Sequence, residues 1–167
     1  MMPVLLEFAR RARAELALPA GRVLEVGSLN VNGSIRDVFQ ADAADYIGVD
    51  TAAGPCVDFV VDGERLTEAF PVDHFDTVLC FECLEHTVRP WRVVEQMRRV
   101  LKPGGHLWVS TPTFGFPLHR FPVDCYRFGE DAYRLWLFAE MALLRLEHVA
   151  DELNQPALVA VGRKLAE

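Results

Sequence analysis

Apolar side chains recur at Val4, Leu5, Phe8, Ala9, Ala12 and Leu16, a spacing near the helical period that predicts an amphipathic helix over Val4 to Leu18. Pro19-Ala20-Gly21 closes it, so residues 1–19 read as an N-terminal helical unit. Short apolar runs bounded by Gly, Asp or Pro follow at Arg22 to Val26, Tyr46 to Val49, Val57 to Val61 and Phe75 to Phe81, and these read as buried parallel strands. Helical patterns occupy Ser34 to Gln40 and Trp91 to Leu101, whereas Thr51 to Cys56 is too short for a full helix. The second helix stops at Lys102-Pro103-Gly104-Gly105, because proline cannot continue it and glycine supplies a left-handed turn. His106 to Ser110 is a fifth predicted strand. Beyond a long loop, Glu130 to Met141 reads as a helix, and Leu143 to Val149 and Leu158 to Val161 as strands whose short polar connection predicts an antiparallel pair. Strands alternating with helices define an α/β class with a doubly wound, mostly parallel sheet.

In such sheets ligands sit beyond the carboxyl ends of the strands, near the point where strand order reverses. The first strand closes on Glu25-Val26-Gly27-Ser28-Leu29-Asn30-Val31-Asn32-Gly33, whose small and Asn residues permit a tight turn that lets backbone N–H groups approach a ligand. The second closes on Asp50, 23 residues after Gly27, where a carboxylate can accept both hydroxyl hydrogens of a ribose. The third closes on Asp62-Gly63, an acceptor for an amine beside a residue that lets backbone come close to a ring.

Composition narrows the partners. The 167 residues carry 17 Lys+Arg against 24 Asp+Glu, a net charge of −7 that supplies no general attraction to phosphate backbones, so a small-molecule partner is expected instead of nucleic acid. The length suits one domain over residues 1–167. No apolar run reaches the ~20 residues of a membrane span, and Arg10, Arg11 and Arg13 follow the first apolar stretch, the reverse of a secretory signal. Four scattered cysteines, Cys56, Cys80, Cys83 and Cys125, fit a reducing, cytoplasmic setting.

The series Val23-Leu24-Glu25-Val26-Gly27, Tyr46-Ile47-Gly48-Val49-Asp50, Val60-Val61-Asp62-Gly63, Phe75-Asp76-Thr77-Val78-Leu79-Cys80 and Val100-Leu101-Lys102-Pro103-Gly104-Gly105 resembles the class I S-adenosylmethionine-dependent methyltransferases. The resemblance runs from Arg22 to Arg163. It implies a seven-stranded Rossmann-like sheet ending in an antiparallel strand pair, with S-adenosyl-L-methionine as cofactor. It also implies that Glu25, Gly27 and Ser28 border the methionine moiety, that Asp50 holds the ribose, that Asp62 and Gly63 meet the adenine, and that Phe81 and Glu82 flank the sulfonium. The chain departs from the family pattern at Leu29 and Val31, where alternate glycines are usual, and this departure motivates a rival reading as a non-catalytic or degenerate partner subunit.

Methyl transfer is an in-line displacement, so holding donor and acceptor collinear supplies much of the catalysis and no nucleophilic side chain is required. A hydroxyl acceptor needs a base, and His86 and His119 are the candidates. Residues 111–129 form a loop too long for a mere connection, and its mixture of aromatic, proline and polar residues suits an acceptor pocket in which Phe116, His119, Asp124, Tyr126 and Arg127 are the expected contacts. The competing reading has the aromatics capping the core and Asp124 pairing with Arg127. The string Phe121 to Phe128 resembles a segment of methyltransferases from bacterial sugar and surface-polysaccharide pathways, which implies a sugar hydroxyl. Glu82, Glu85 and His86 stand at i, i+3 and i+4, one face of a helical turn, and with His119 they form an alternative, metal-assisted site; the primary reading assigns no metal. Cys80 and Cys83 read as inert thiols.

Overall fold

The computed structural model describes residues 2–166. Helix α1 spans Pro3–Leu16, with Pro3 at its first turn and Ala17 in the left-handed conformation at its end. Strand β1 (Gly21–Val26), helix α2 (Arg36–Phe39), strand β2 (Ala43–Asp50) and strand β3 (Phe59–Val60) follow. Then come helix α3 (Leu66–Ala69), strand β4 (Phe75–Phe81), helix α4 (Pro90–Val100), strand β5 (Leu101–Pro112), helix α5 (Glu130–Ala132), strand β6 (Met141–Ala150) and strand β7 (Pro156–Lys164).

One sheet of seven strands results, in the order β3-β2-β1-β4-β5-β7-β6. The first five are parallel, and β7 runs antiparallel to both β5 and β6. The expected α/β doubly wound sheet and its antiparallel C-terminal pair are both present.

Alternation along the strands divides the core into two faces. Leu24, Val78, Cys80, Leu107, Val109 and Ala160 join Val93, Val94 and Met97 of α4 on one face. Val23, Leu79, Trp108 and Val161 join Leu5, Phe8, Ala9 and Ala12 of α1 on the other, with Ile35 and Phe39. Trp108 anchors the second face: it is fully buried, and Phe8 and Phe39 meet its ring edge-on at 6.3 and 5.4 Å.

Four elements depart from the sequence reading. The strand expected over Val57 to Val61 contracts to Phe59–Val60, and as the outermost strand it leaves Phe59 53% exposed instead of buried. The helix expected over Ser34 to Gln40 shortens to α2 and a 3₁₀ turn at Gln40–Asp42. Lys102–Gly105 does not separate helix from strand, because β5 already pairs with β4 at Leu101 and the Pro-Gly-Gly segment is an irregularity inside it. The helix expected over Glu130 to Met141 is α5 followed by a π-helical turn at Tyr133–Leu137, which buries the Tyr133 ring while its hydroxyl meets Thr111 and donates to the Leu158 carbonyl, both at 2.9 Å.

Truncating Trp108 to alanine removes the ring on which one face closes, and chemical denaturation is expected to show a loss of about 3–5 kcal/mol; a loss below 1 kcal/mol would mean that α1 packs independently of it.

Candidate active site

The carboxyl ends of β1 to β4 open into one cavity of about 1180 Å³. Usual small-molecule sites measure ~300–1,000 Å³, so this one has room for two ligands side by side. It lies at the reversal of strand order, because β1 pairs with both β2 and β4 while the chain proceeds outward to β3 before returning. Glu25, Gly27, Ser28, Asp50, Asp62, Gly63, Phe81 and Glu82 all line it, and Phe116, His86 and His119 line it as well.

The loop after β1 keeps its turn without the usual glycines. Gly27 adopts φ 78°, and a Cβ there would come within 2.6 Å of the Cys83 sulfur, so glycine is required on both counts. The Gly27 and Ser28 N–H groups both donate to the Val49 carbonyl, at 2.9 and 3.0 Å. The Leu29 N–H reaches Asp50 Oδ2 at 3.2 Å, and that of Asn30 the Pro55 carbonyl at 2.9 Å. Asn30 Oδ1 then accepts from the Gly33 N–H at 2.9 Å. These donors therefore fasten the loop to the end of β2, a correction to the expectation that they face a ligand. Leu29 folds aside, its methyl carbon filling the space where a Cβ of Gly54 would stand.

The acids at the strand ends keep accepting capacity. Asp50 receives only long bonds, from the Leu29 and Ala52 N–H groups at 3.2 Å each and from the Thr51 hydroxyl at 3.4 Å. Asp62 accepts from the Glu64 N–H at 2.9 Å and caps the 3₁₀ turn Gly63–Arg65. Glu25 is buried and accepts from the Tyr46 hydroxyl at 2.8 Å; burial pushes its carboxyl up to about 7, against the opposing pull of that bond. Glu82 takes φ 50°, which turns its side chain off the end of β4 toward Ser110, whose hydroxyl donates to Oε1 at 3.1 Å. Burial first, and then the charge of Glu85, push the Glu82 carboxyl up to about 8.

Only Glu85 and His86 share the turn after β4, a 3₁₀ segment at Leu84–His86; Glu82 lies outside it, so the expected helical face of three residues does not form. Glu85 is 0% exposed, and neither of its carboxylate oxygens has a hydrogen bond. His86 Nδ1 stands 2.6 Å from the Val123 carbonyl, which can only accept, so that nitrogen carries the proton. The Nε2 atoms of His86 and His119 each lie 3.6 Å from the same Glu85 oxygen, and the two rings are 4.9 Å apart. The Glu85 carboxylate raises the His119 pKa above the usual imidazole range, with burial opposing.

Asp124, Tyr126 and Arg127 do not line the cavity, contrary to the reading of them as acceptor contacts. The Asp124 carboxylate is 1% exposed and accepts from the Arg127 guanidinium at 2.5 and 2.7 Å and from the His119 N–H at 2.7 Å. Arg127 holds that carboxyl well below its ordinary range. It also donates to the carbonyls of Phe116, Pro117 and Tyr126. The Tyr126 hydroxyl donates to the Val88 carbonyl at 3.1 Å. These residues clamp the loop from behind and so position Phe116 and His119. Arg89 also lines the cavity, ion-paired to Glu64 at 2.7 Å, and no motif in the sequence singles it out.

Residues 4–157 match the family model of a methyltransferase domain, and the chain belongs to that family. Ubiquinone biosynthesis O-methyltransferase of Pectobacterium atrosepticum is 32% identical over 106 residues, 54% of this chain and 42% of that protein. The enzyme of the same name from Paracidovorax citrulli is 36% identical over 109 residues, 56% of this chain and 44% of its own. The chain thus spans under half the length of these relatives. Among solved structures, the Burkholderia thailandensis 1,6-didemethyltoxoflavin-N1-methyltransferase, crystallised with its acceptor and S-adenosylhomocysteine, superposes with a TM-score of 0.76 at 20% identity over 97% of this chain and 79% of that one. The [4+2]-cyclase SpnF superposes at 0.73 and 17% identity, over 97% and 81% of the two chains. Both likenesses concern the fold. No helix among the described residues is long and apolar enough to cross a membrane.

Because the folded pKa of Glu25 lies above the ordinary 4.5, the stability tied to its protonated form is complete below about pH 4.5 and is lost as pH rises through about 7. Glu25→Gln removes this dependence. Denaturation at pH 5 and pH 8 is expected to show the variant gaining about 3 kcal/mol on the wild type between the two; parallel pH profiles would refute the burial of a titrating carboxyl there.

Proposed function

We propose that this chain transfers the methyl group of S-adenosylmethionine to a hydroxyl oxygen of a small-molecule acceptor, acting as one methyltransferase domain over residues 1–167 in the cytoplasm. The carrying observation is convergence: Asp50, Asp62 and Glu82, from three strand ends, share one cavity with two loop and turn histidines.

The donor set fits the cofactor. Asp50, with both oxygens only loosely engaged, accepts from the two ribose hydroxyls. Asp62 accepts from the adenine amine, and Gly63 leaves the ring room. Glu25, Gly27 and Ser28 border the methionine portion, and Glu82 with Phe81 flanks the sulfonium, where an ionised carboxylate is electrostatically favoured. When bound, the cofactor supplies a methyl group on an already activated leaving group, so alignment is the main demand on the protein. His86 and His119, beside Glu85, promote loss of the acceptor proton.

The walls indicate the acceptor. Phe116, Pro117, Leu118, Phe121 and Pro122 line the cavity, while Asp124, Tyr126 and Arg127 are engaged behind the loop. A sugar needs several polar anchors, and Asp124, Tyr126 and Arg127 do not provide them, which leaves Arg120, Asp151 and Gln155 as the polar groups near this wall. An apolar, ring-bearing hydroxyl compound fits better, and the O-methyltransferase names of the relatives support oxygen as the acceptor atom.

Calorimetric titration with S-adenosylmethionine and S-adenosylhomocysteine is expected to give micromolar binding, about −8 kcal/mol, with NAD silent. Asp50→Ala should weaken it at least tenfold without moving the thermal transition. Absence of binding in folded protein would replace this reading with that of a degenerate partner subunit. With binding in hand, phenolic and sugar hydroxyl acceptors are compared directly, and turnover of sugars alone would overturn the apolar-ring assignment.

A further inference from the structure

The loop that supplies His119 also supplies Arg120, and the two side chains are held differently. The His119 N–H donates to Asp124 Oδ2 at 2.7 Å and the Phe121 N–H to the Val123 carbonyl at 3.2 Å, so the chain is fastened on both sides of Arg120. The Arg120 side chain itself makes no hydrogen bond or ion pair among the described residues, and it lines the cavity. A solvated arginine on a surface loop needs no partner, so its place is what matters. Arg89 is the other arginine on the cavity wall, and Glu64 occupies its guanidinium, from Nε at 3.1 Å and Nη2 at 2.7 Å. Arg127, behind the loop, is taken by Asp124 and three carbonyls. Arg120 is therefore the guanidinium whose donors stay available to a ligand in the cavity.

Its neighbours narrow what that ligand is. Phe116, Leu118 and Phe121 line the same wall, so the body of the ligand is apolar there. A guanidinium is planar and presents parallel N–H bonds, which match the two oxygens of a carboxylate. His119 and Arg120 are consecutive, with Cα atoms about 3.8 Å apart, and both side chains reach the cavity. A hydroxyl served by the imidazole and an anion served by the guanidinium therefore belong to one small molecule, of the size of a substituted ring. The cavity's acids do not forbid an anion at this wall. Asp50, Asp62, Glu25 and Glu82 belong to the strand ends, and Asp151 has Oδ1 engaged by the Leu153 and Gln155 N–H groups at 3.0 and 2.8 Å.

We propose that Arg120 is an acceptor-binding residue that takes a carboxylate, so that the methyl acceptor is an aromatic hydroxy acid. The proposal rests on the methyl-transfer reading and deepens it: the hydroxyl stands at His119, the ring lies against Phe116 and Phe121, and the acid group meets Arg120. The methionine portion of the cofactor also ends in a carboxylate, but in that reading it borders Glu25, Gly27 and Ser28 at the end of β1, whereas Arg120 stands among the aromatic residues of the loop after β5. The two ends of the cavity then carry opposite preferences. Strand-end acids favour the cationic donor, and the loop arginine favours an anionic acceptor, so each ligand is kept from the other's place.

The test is calorimetric titration of the protein, alone and with S-adenosylhomocysteine, using meta-hydroxybenzoate and its neutral counterpart meta-hydroxybenzamide. Wild type is expected to hold the acid at least tenfold more tightly than the amide. Arg120→Gln is expected to bring the two affinities together and Arg120→Lys to restore part of the difference, a pattern that a merely structural role would not give. Titration of each variant with S-adenosylhomocysteine reports the folded cofactor site. Equal binding of acid and amide by wild type, binding of neither, or a preference that survives Arg120→Gln overturns the carboxylate subsite. A tenfold loss of S-adenosylhomocysteine affinity in Arg120→Gln with the acid preference intact overturns it too, and gives Arg120 to the cofactor's own carboxylate. A variant-sensitive preference for the acid in protein that does not bind S-adenosylhomocysteine upholds the subsite and removes the methyl-transfer reading.

Discussion

Everything in this molecule depends on five parallel strands leaving the sheet at the same edge. Parallel neighbours cannot be joined by a tight turn, so each connection must travel back across a face, and the helices that do so bury both faces of the sheet. The two apolar sets that alternate along β1, β4 and β5 are the sequence's side of that requirement. The other side is polar. The strand ends cannot be covered by the same crossings, and where the order reverses between β1 and β4 the departing loops diverge and leave a crevice. Chemistry collects there because backbone and side-chain polar groups collect there.

The acceptor half of the crevice is held by different means. The loop of residues 111–129 carries almost no regular structure, yet its inner face is fixed by one ion pair, Asp124 with Arg127, and by the three carbonyls that Arg127 also reaches. Thr113 donates to the Phe128 carbonyl at 2.7 Å and ties the loop's far end back to β5. A planar guanidinium is well suited to such a task, because its donors diverge and can bind several chain segments at once. The result is a loop in which Asp124 and Arg127 engage each other behind it, while Phe116, Pro117, Phe121 and Pro122 shape the cavity together with His119 and Arg120.

Much of this was legible in the sequence, and the exceptions share a cause. Parallel strands buried on both faces read as uninterrupted apolar runs, so Phe75 to Phe81 and Arg22 to Val26 announced themselves and their closing acids followed. Val57 to Val61 misled because the same apolar residues stand on the sheet's outermost strand, a property of topology and not of the segment. That β7 lies inside β6 can be seen in hindsight: Ala157 to Val161 is wholly apolar, whereas Leu143 to Val149 contains Arg145, Glu147 and His148 and suits an edge. Asp50, Asp62 and Glu82 share one cavity because strand ends are local features that a sequence displays. Asp124, Tyr126 and Arg127 were misplaced because a loop's inward and outward faces follow from long-range partners such as the Val88 carbonyl, which no spacing rule reveals. Glu85 reads in the sequence as a member of a short motif, whereas its complete burial is a property of the fold.

The crevice is therefore lined by acids of unequal character. Asp50 and Asp62 keep accepting capacity, while Glu25 and Glu85 are buried and Glu82 is half-buried. Burial disfavours the charged form of Glu25 and of Glu82, and the charge of Glu85 acts on Glu82 in the same direction, so acids are held here at an electrostatic cost. A positive charge entering the crevice offsets that cost, whereas a neutral nucleotide or an anion does not. Since a ligand that binds only the folded state stabilises it by mass action, a cationic ligand held beside these acids in their charged form stabilises the fold.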